Sequence, residues 1–344
     1  MRSTHRFSAS ARGAVLVASV CLACVASPRT PVPAQAAGAA VPAPADELLA
    51  LSWQQTAAEY DALTRTVYAL ARHALDAALA QPDWDALPPE ERARSGVAAR
   101  GLPPAIILDI DETVLDNSPF AADLLRNPID ESLPPSDYGA AFGERWKAWV
   151  DLSHATRIAG AKPFLDYAAS RGVEIFYVTN RECAPSEPAA CEEAATCKNL
   201  VEQRLPLKDC EQNLLLRNEQ APWLSDREKG SRRVEIGKRY RVLALFGDNL
   251  GDFVDGIYGG RAVRDALVCQ HFAWWGERWF ALPNPSYGSW VDAVDALGTR
   301  SFATRAERTA LARQQKRDAL VLPASSGSLC SECAGEFGQA EACR

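Results

Sequence analysis

The sequence predicts an α/β fold of three layers, with a parallel central sheet between two sets of helices. Two observations carry this. The runs Ala105-Ile106-Ile107-Leu108 and Val242-Leu243-Ala244-Leu245-Phe246 are short and wholly apolar, as strands buried on both faces must be. Helical periodicity separates such runs along the chain. Both runs also end abruptly in acids, Asp109-Ile110-Asp111 after the first and Asp248 to Asp252 after the second. Open α/β sheets bind ligands at the carboxyl ends of their strands.

The 344 residues suffice for one large domain or two small ones, and the apolar and charged fractions are those of a soluble globular chain. A formal charge of −7 argues against a nucleic-acid partner. The four histidines, His5, His73, His154 and His271, are scattered and offer no zinc-ligand pair. No G-x-G-x-x-G or Walker A sequence is present, so dinucleotide and P-loop readings fail.

The N-terminus reads as an export signal over residues 1–26. Arg2, Arg6 and Arg12 precede an uncharged apolar run, Ala14 to Ala26, that is too short for a membrane span. Cys21-Leu22-Ala23-Cys24 resembles a bacterial lipoprotein box with Cys24 as the lipidated residue, although Cys21 stands where Leu is usual. Ala34-Gln35-Ala36 is a competing cleavage site. Either choice exports the chain, to the outer membrane through a lipid anchor or to the periplasm. An Ala/Pro-rich tether fills residues 27–45. The eight cysteines beyond the signal are Cys183, Cys191, Cys197, Cys210, Cys269, Cys330, Cys333 and Cys343. In an exported chain they read as disulfides, with the pairing left open.

Residues 46–320 form the expected domain. Trp53, Ala57, Tyr60, Leu63, Val67, Leu70 and Ala74 recur at helical spacing and predict one long amphipathic helix. Pro82 to Gly101 reads as a polar connector to the first strand. The insertion at 117–160, directly after the acids, would lie over the site as a helical cap. Periodicity alone makes its Trp146 and Trp149 core residues. A helix at Lys162–Arg171 precedes the strand Val173–Val178, which ends in Thr179-Asn180-Arg181. A hydroxyl there can bond a phosphate oxygen or merely cap a helix. Asp226 to Arg233 opens a further helix, either as a solvated face or with a basic residue reaching inward. A last strand begins at Trp279, a helix spans about Ala303–Asp318, and residues 321–344 are a Cys-containing tail.

The chemistry centres on the acids. Asp109 and Asp111, two apart on a strand, would project to one side. Like charges held together there need a positive partner, and a hard divalent cation with oxygen ligands fits. The plainer alternative is that these acids cap helices or make turns.

Asp109-Ile110-Asp111-Glu112-Thr113-Val114-Leu115-Asp116-Asn117-Ser118 resembles the first motif of the haloacid dehalogenase (HAD) superfamily, and more narrowly of the class C acid phosphatases, including the bacterial lipoprotein 5′-nucleotidases (subfamily IIIB). Val178-Thr179-Asn180-Arg181 is similar to the second motif, Lys229-x-x-Arg232 to the third, and Gly247-Asp248-Asn249-Leu250-x-Asp252-Phe253 to the fourth. Trp146-x-x-Trp149-Val150-Asp151, Leu282-Pro283-Asn284 and Tyr287-Gly288 add agreement, and the likeness runs from about Leu49 to Leu297.

The resemblance implies a HAD-like Rossmannoid domain and a magnesium-dependent phosphomonoesterase acting on small phosphomonoesters, among them nucleoside monophosphates. It implies Asp109 as nucleophile and Asp111 as general acid and base. Mg2+ would be held by Asp109, the backbone carbonyl of Asp111, Asp248 and Asp252. Thr179 and Lys229 would stabilise the phosphoryl oxygens, with Arg232 and Arg233 as rivals to Lys229. Asn180, Trp146 and Tyr287 would contact substrate, the two aromatics by stacking. The oligomeric state is left open, with a homodimer among the alternatives. Rival readings are a non-catalytic surface protein, as in the plant vegetative storage proteins, and transfer of phosphoryl to an acceptor other than water.

Overall fold

Around the first acids the chain builds a sheet whose order reverses where they lie. In chain order its elements are α1 (Ala45–Thr56), α2 (Ala58–Ala80), α3 (Pro89–Ser95), β1 (Pro104–Leu108), β2 (Leu115–Asp116), α4 (Ser118–Arg126), α5 (Pro135–Leu152), β3 (Thr156–Arg157), α6 (Ala161–Ser170), β4 (Glu174–Glu182), α7 (Glu193–Glu202), α8 (Cys210–Asn213), β5 (Leu214–Arg217), α9 (Gly230–Gly237), β6 (Arg241–Gly247), α10 (Arg261–Gln270), β7 (Trp279–Ala281), α11 (Ser289–Asp295) and α12 (Arg305–Asp318). This computed structural model describes residues 45–220, 227–298, 300–320 and Cys333. The export signal with Cys24, the tether but for Ala45, and the tail but for Cys333 lie outside the described residues.

Five parallel strands run β5-β4-β1-β6-β7. The chain steps outward from β1 through β4 to β5, then crosses to β6 on the other side. The crevice at the carboxyl end of β1 is therefore the switch point at which such sheets bind ligands. Alternation sends Ile106 and Leu108 toward α2 and α6, where Tyr68, Phe164 and Leu165 bury them. Ile107, Phe176 and Leu245 face the opposite way, against Leu87, Ile236 and Ile257. The three-layer α/β fold is thus as expected.

The register of β1 against β6 slips once, Ala105 facing Val242 and Ile106 facing Ala244. Leu243 is the extra residue, so Leu243 and Ala244 enter the same core. Trp84 satisfies the bulge by donating its indole N–H to the Leu243 carbonyl at 2.8 Å.

Residues 117–155 leave and re-enter the domain through one antiparallel pairing, Leu115 with Arg157 and Asp116 with Thr156. They carry α4 and α5. Helix α12 braces this insertion: Arg305 and Ala306 donate backbone N–H bonds to the carbonyls of Leu133 and Glu131, both at 2.8 Å.

Three expectations need correction. The long N-terminal helix is two, because Ala57 is extended (φ −80°, ψ 125°). The break lets α1 turn toward the strand ends, where Gln54 and Gln55 donate to Asp116 and Ser118. The stripe on α2 holds at Tyr60, which is buried, and at Val67 and Ala74, which pack on the core, but its centre is Thr64, Tyr68, Ala71 and Leu75, while Leu63 and Leu70 are each 47% exposed. Tyr68 fixes this centre by donating to the Thr113 carbonyl at 2.7 Å and stacking on Phe246. The connector at 82–101 holds α3, whose buried Glu91 pairs with buried Arg233. A hydropathy pattern cannot show a buried ion pair.

The cysteines form disulfides, Cys183–Cys191, Cys197–Cys210 and Cys269–Cys333. Cys330 and Cys343 lie outside the described residues.

Candidate active site

Strand β1 stops at Leu108, and Asp109 follows with its N–H bonded to the Phe246 carbonyl at 2.9 Å. This bond ties the tip of β1 to that of β6 and brings Asp109 beside Asp248. Carboxylate oxygens of Asp109, Asp248 and Asp252 lie within 4.8 Å of one another. Asp252 ends a short 3-10 turn, Leu250–Asp252, whose capping box also bonds the Asn249 N–H to Asp252 Oδ2 at 2.9 Å. Gly247 makes this approach possible, since a Cβ there would lie 2.1 Å from Asp252 Oδ2. Asn284, just past β7, donates to Asp248 Oδ2 at 2.7 Å and accepts the Ser286 N–H at 2.9 Å.

The basic residue that enters this cluster is Lys229, at the N-cap of α9. Its buried ammonium donates to Asp109 Oδ1 and lies 2.6 Å from Asp252 Oδ1. Burial opposes its charge, but Asp109 and Asp252 outweigh this, and its pKa is raised. Gly230 beside it has no room for a Cβ, because Asp255 Oδ2 would lie 2.0 Å away. The two rivals are committed to the scaffold. Arg233 is bound by Glu91, Asp255 at 3.0 Å and the Gly251 carbonyl at 2.8 Å. Arg232 donates to the Thr179 carbonyl and to Asn180 Oδ1.

Burial, with Lys229 opposing it, pushes Asp109 up to about 7. Burial, followed by the charges of Asp109 and Asp252, holds Asp248 well above the usual carboxylate range. Three carboxylates against one ammonium leave two negative charges uncompensated when all are ionised. An all-oxygen donor set with that residual charge fits a hard divalent cation.

Asp111 lies beside this cluster. Its carboxylate is outside the acid cluster, because the chain leaves strand geometry after Leu108 and turns through Glu112 at φ 55°. It accepts bonds from Asn117 Nδ2 at 2.8 Å, Arg181 Nη2 at 2.8 Å and Thr179 Oγ1 at 3.4 Å. Asp111 remains close enough to Asp109 for its charge to help raise the Asp109 pKa. Thr179, fully buried, joins this group. The amide of neighbouring Asn180 is used at both ends, donating to the Arg227 carbonyl at 2.9 Å and accepting from Arg232 at 2.8 Å. The exposed ring of Tyr287 belongs to the turn held by Asn284, which accepts its N–H at 3.3 Å. Trp146 on α5 lies under the Arg181 guanidinium, 5.5 Å from ring centre to Cζ, and edge-on to Phe120.

Sequence reasoning assigned no role to Arg181, Asn117, Asn284 or Gly247, and read Trp149 as core. For Arg181 a signal existed: alternation along β4 puts it on the same side as Thr179. For Asn284 only its place in the agreeing segment pointed to it.

A parallel sheet with acids at its switch point and an insertion after the first acids defines a HAD-type α/β enzyme. Comparisons agree. The family model for the HAD superfamily, subfamily IIIB (acid phosphatase), matches residues 11–290. A solved class C acid phosphatase from Bacillus anthracis is 30% identical, with TM-score 0.61, covering 80% of this chain and 97% of its own. The same is true of a tungstate-bound class C acid phosphatase from that organism, at 30% identity and TM-score 0.62. The chain belongs to the acid phosphatases of HAD subfamily IIIB.

Proposed function

We propose that this acid phosphatase hydrolyses 5′-nucleotides with magnesium, by way of an aspartyl-phosphate. The observation that carries the reading is the cluster of Asp109, Asp248 and Asp252 around Lys229 at the sheet's switch point. Uptake of tungstate, an oxyanion of phosphate-like shape, by a relative agrees with it.

In this reading Mg2+ is held by Asp109, the backbone carbonyl of Asp111, and Asp248, with Asp252 bound directly or through water. It supplies positive charge to the acids and the phosphoryl oxygens. Asp109 attacks phosphorus, and the bond to the leaving oxygen breaks as Asp111 gives that oxygen a proton. Water then attacks the aspartyl-phosphate, Asp111 takes its proton, and the bond to Asp109 breaks. Lys229 and Thr179 stabilise the transferring oxygens. Asn180 keeps the Lys229 segment against them. An acidic optimum is expected of an acid phosphatase, and bound Mg2+ would bring Asp109 below the value of about 7 that burial gives it, so that it attacks ionised. Trp146 and Tyr287 offer aromatic faces for a nucleobase. Three disulfides suit an exported protein.

The test is a panel of 5′-nucleotides, glycerol phosphate and p-nitrophenyl phosphate, assayed from pH 4 to 8 (about the span between carboxylate and neutral ranges) after chelation and after Mg2+ is restored. Hydrolysis that returns with Mg2+ and favours nucleotides is expected. Activity indifferent to chelator removes the metal, and equal kcat/KM for nucleotides and glycerol phosphate removes the nucleotide preference. Phosphorylated alcohols appearing when alcohol is added would make it a transferase.

A further inference from the structure

We propose that the inserted helix α5 fixes the orientation of the Asp111 carboxylate, through Trp149 and Asn117 on one side and Arg181 on the other, so that Oδ2 is the oxygen that exchanges the proton. Arg181, Asn117 and Trp149 are then positioning residues. The inference rests on the reading of Asp111 as the general acid.

The two carboxylate oxygens differ in their partners. Oδ1 accepts from Asn117 Nδ2 at 2.8 Å, Arg181 Nη2 at 2.8 Å and Arg181 Nε at 3.2 Å. Oδ2 has only longer contacts, Arg181 Nε at 3.3 Å and Thr179 Oγ1 at 3.4 Å. A carboxylate oxygen that accepts three donors has no room for a proton of its own. Oδ2 is the oxygen left for proton exchange.

Both donors to Oδ1 are held from behind. Arg181 is buried; its Nη1 donates to Thr196 Oγ1 at 3.0 Å, and Thr196 in turn donates to the Glu192 carbonyl at 2.6 Å. The ring of Trp146 covers its guanidinium. Asn117 is 4% exposed, and its Oδ1 accepts the Trp149 indole N–H at 2.8 Å. An indole N–H can only donate. It therefore decides which way the Asn117 amide faces, keeping the NH2 toward Asp111. Without it the amide can flip and present its own oxygen to Oδ1. The turn is fixed as well, since the Asn117 N–H donates to Glu112 Oε1 at 2.8 Å.

Proton donation matters most when the leaving oxygen is strongly basic. An alkyl phosphate needs the acid, whereas p-nitrophenolate departs almost without it. The experiment measures kcat/KM on glycerol phosphate and p-nitrophenyl phosphate for Asp111→Asn, Arg181→Lys and Trp149→Phe, with melting temperature as the check on folding. Trp149→Phe keeps the ring and loses only the N–H. We expect about a tenfold loss on the alkyl ester and less than about twofold on the aryl ester for Trp149→Phe. For Arg181→Lys we expect about a hundredfold against less than about tenfold. A structural role would lower both substrates equally, and that result overturns the proposal, as does no loss at all. Should Arg181→Lys fail to fold, Trp149→Phe alone decides. Selectivity in Asp111→Asn without selectivity in the other variants refutes the positioning roles and spares the acid. No selectivity in Asp111→Asn refutes both.

Discussion

Asp109 and Asp111 are separated by one residue, yet their surroundings are opposites. Asp109 sits among acids, with Asp248 and Asp252 beside it and Lys229 as the cation between. Asp111 sits among donors: Arg181, Asn117 and Thr179. The first environment carries excess negative charge and suits an added cation. The second is compensated by the chain's own guanidinium. The difference arises at one turn, where β1 ends and Glu112 takes a left-handed conformation.

The sharpest way to break this contrast is to neutralise the two acids separately. Asp109→Asn should lose turnover on every substrate, roughly 10⁴-fold or more, because no other group replaces a nucleophile. Asp111→Asn should lose less, and less still on aryl esters. Steady-state kinetics on both substrates, with circular dichroism to show that the fold is kept, tests the pair. Equal losses for the two variants on every substrate would erase the distinction.

A smaller effect tests the crowding on the Asp109 side. Gly247→Ala puts a Cβ within 2.1 Å of Asp252 Oδ2, so Asp252 must move. We expect a loss of about 1–3 kcal/mol in urea unfolding and a weaker response to Mg2+. Unchanged stability would mean that the approach of Asp252 is not tight.

The smallest effect concerns the Asp111 side, where Arg181 also serves Glu192. Burial, with Arg181 opposing it, pushes Glu192 from 4.5 up to about 7. The folded state thus holds this proton more tightly than the unfolded chain. The stabilisation it gives is full below about 4.5 and is lost as pH rises through about 7. Glu192→Gln keeps an acceptor for the Glu182 N–H and should flatten the stability–pH curve across that window, by on the order of 1 kcal/mol. Urea unfolding at pH 4.5, 6 and 7.5 (on the order of the window set by that pKa shift) checks it. Identical slopes in variant and parent would place the titration elsewhere.

Much of this was legible beforehand. The apolar runs that become β1 and β6 mark themselves by burial on both faces, and the acids at their tips follow from chain order. The centre of the α2 stripe was not legible, because Tyr68 and Thr64 bury polar groups that hydropathy discounts. Nor was the choice among Lys229, Arg232 and Arg233, which share one charged patch. It depends on Glu91 of α3, far away in sequence, to take up Arg233.

The sequence by itself determined the α/β class, the strand-end acids and the motifs that resemble the family, because strand burial and acid spacing are local properties. Tertiary structure alone decided which cation meets Asp109, which donors hold Asp111 and how the disulfides pair. Each of these joins groups distant in the chain, and long-range distances are not encoded in periodicity.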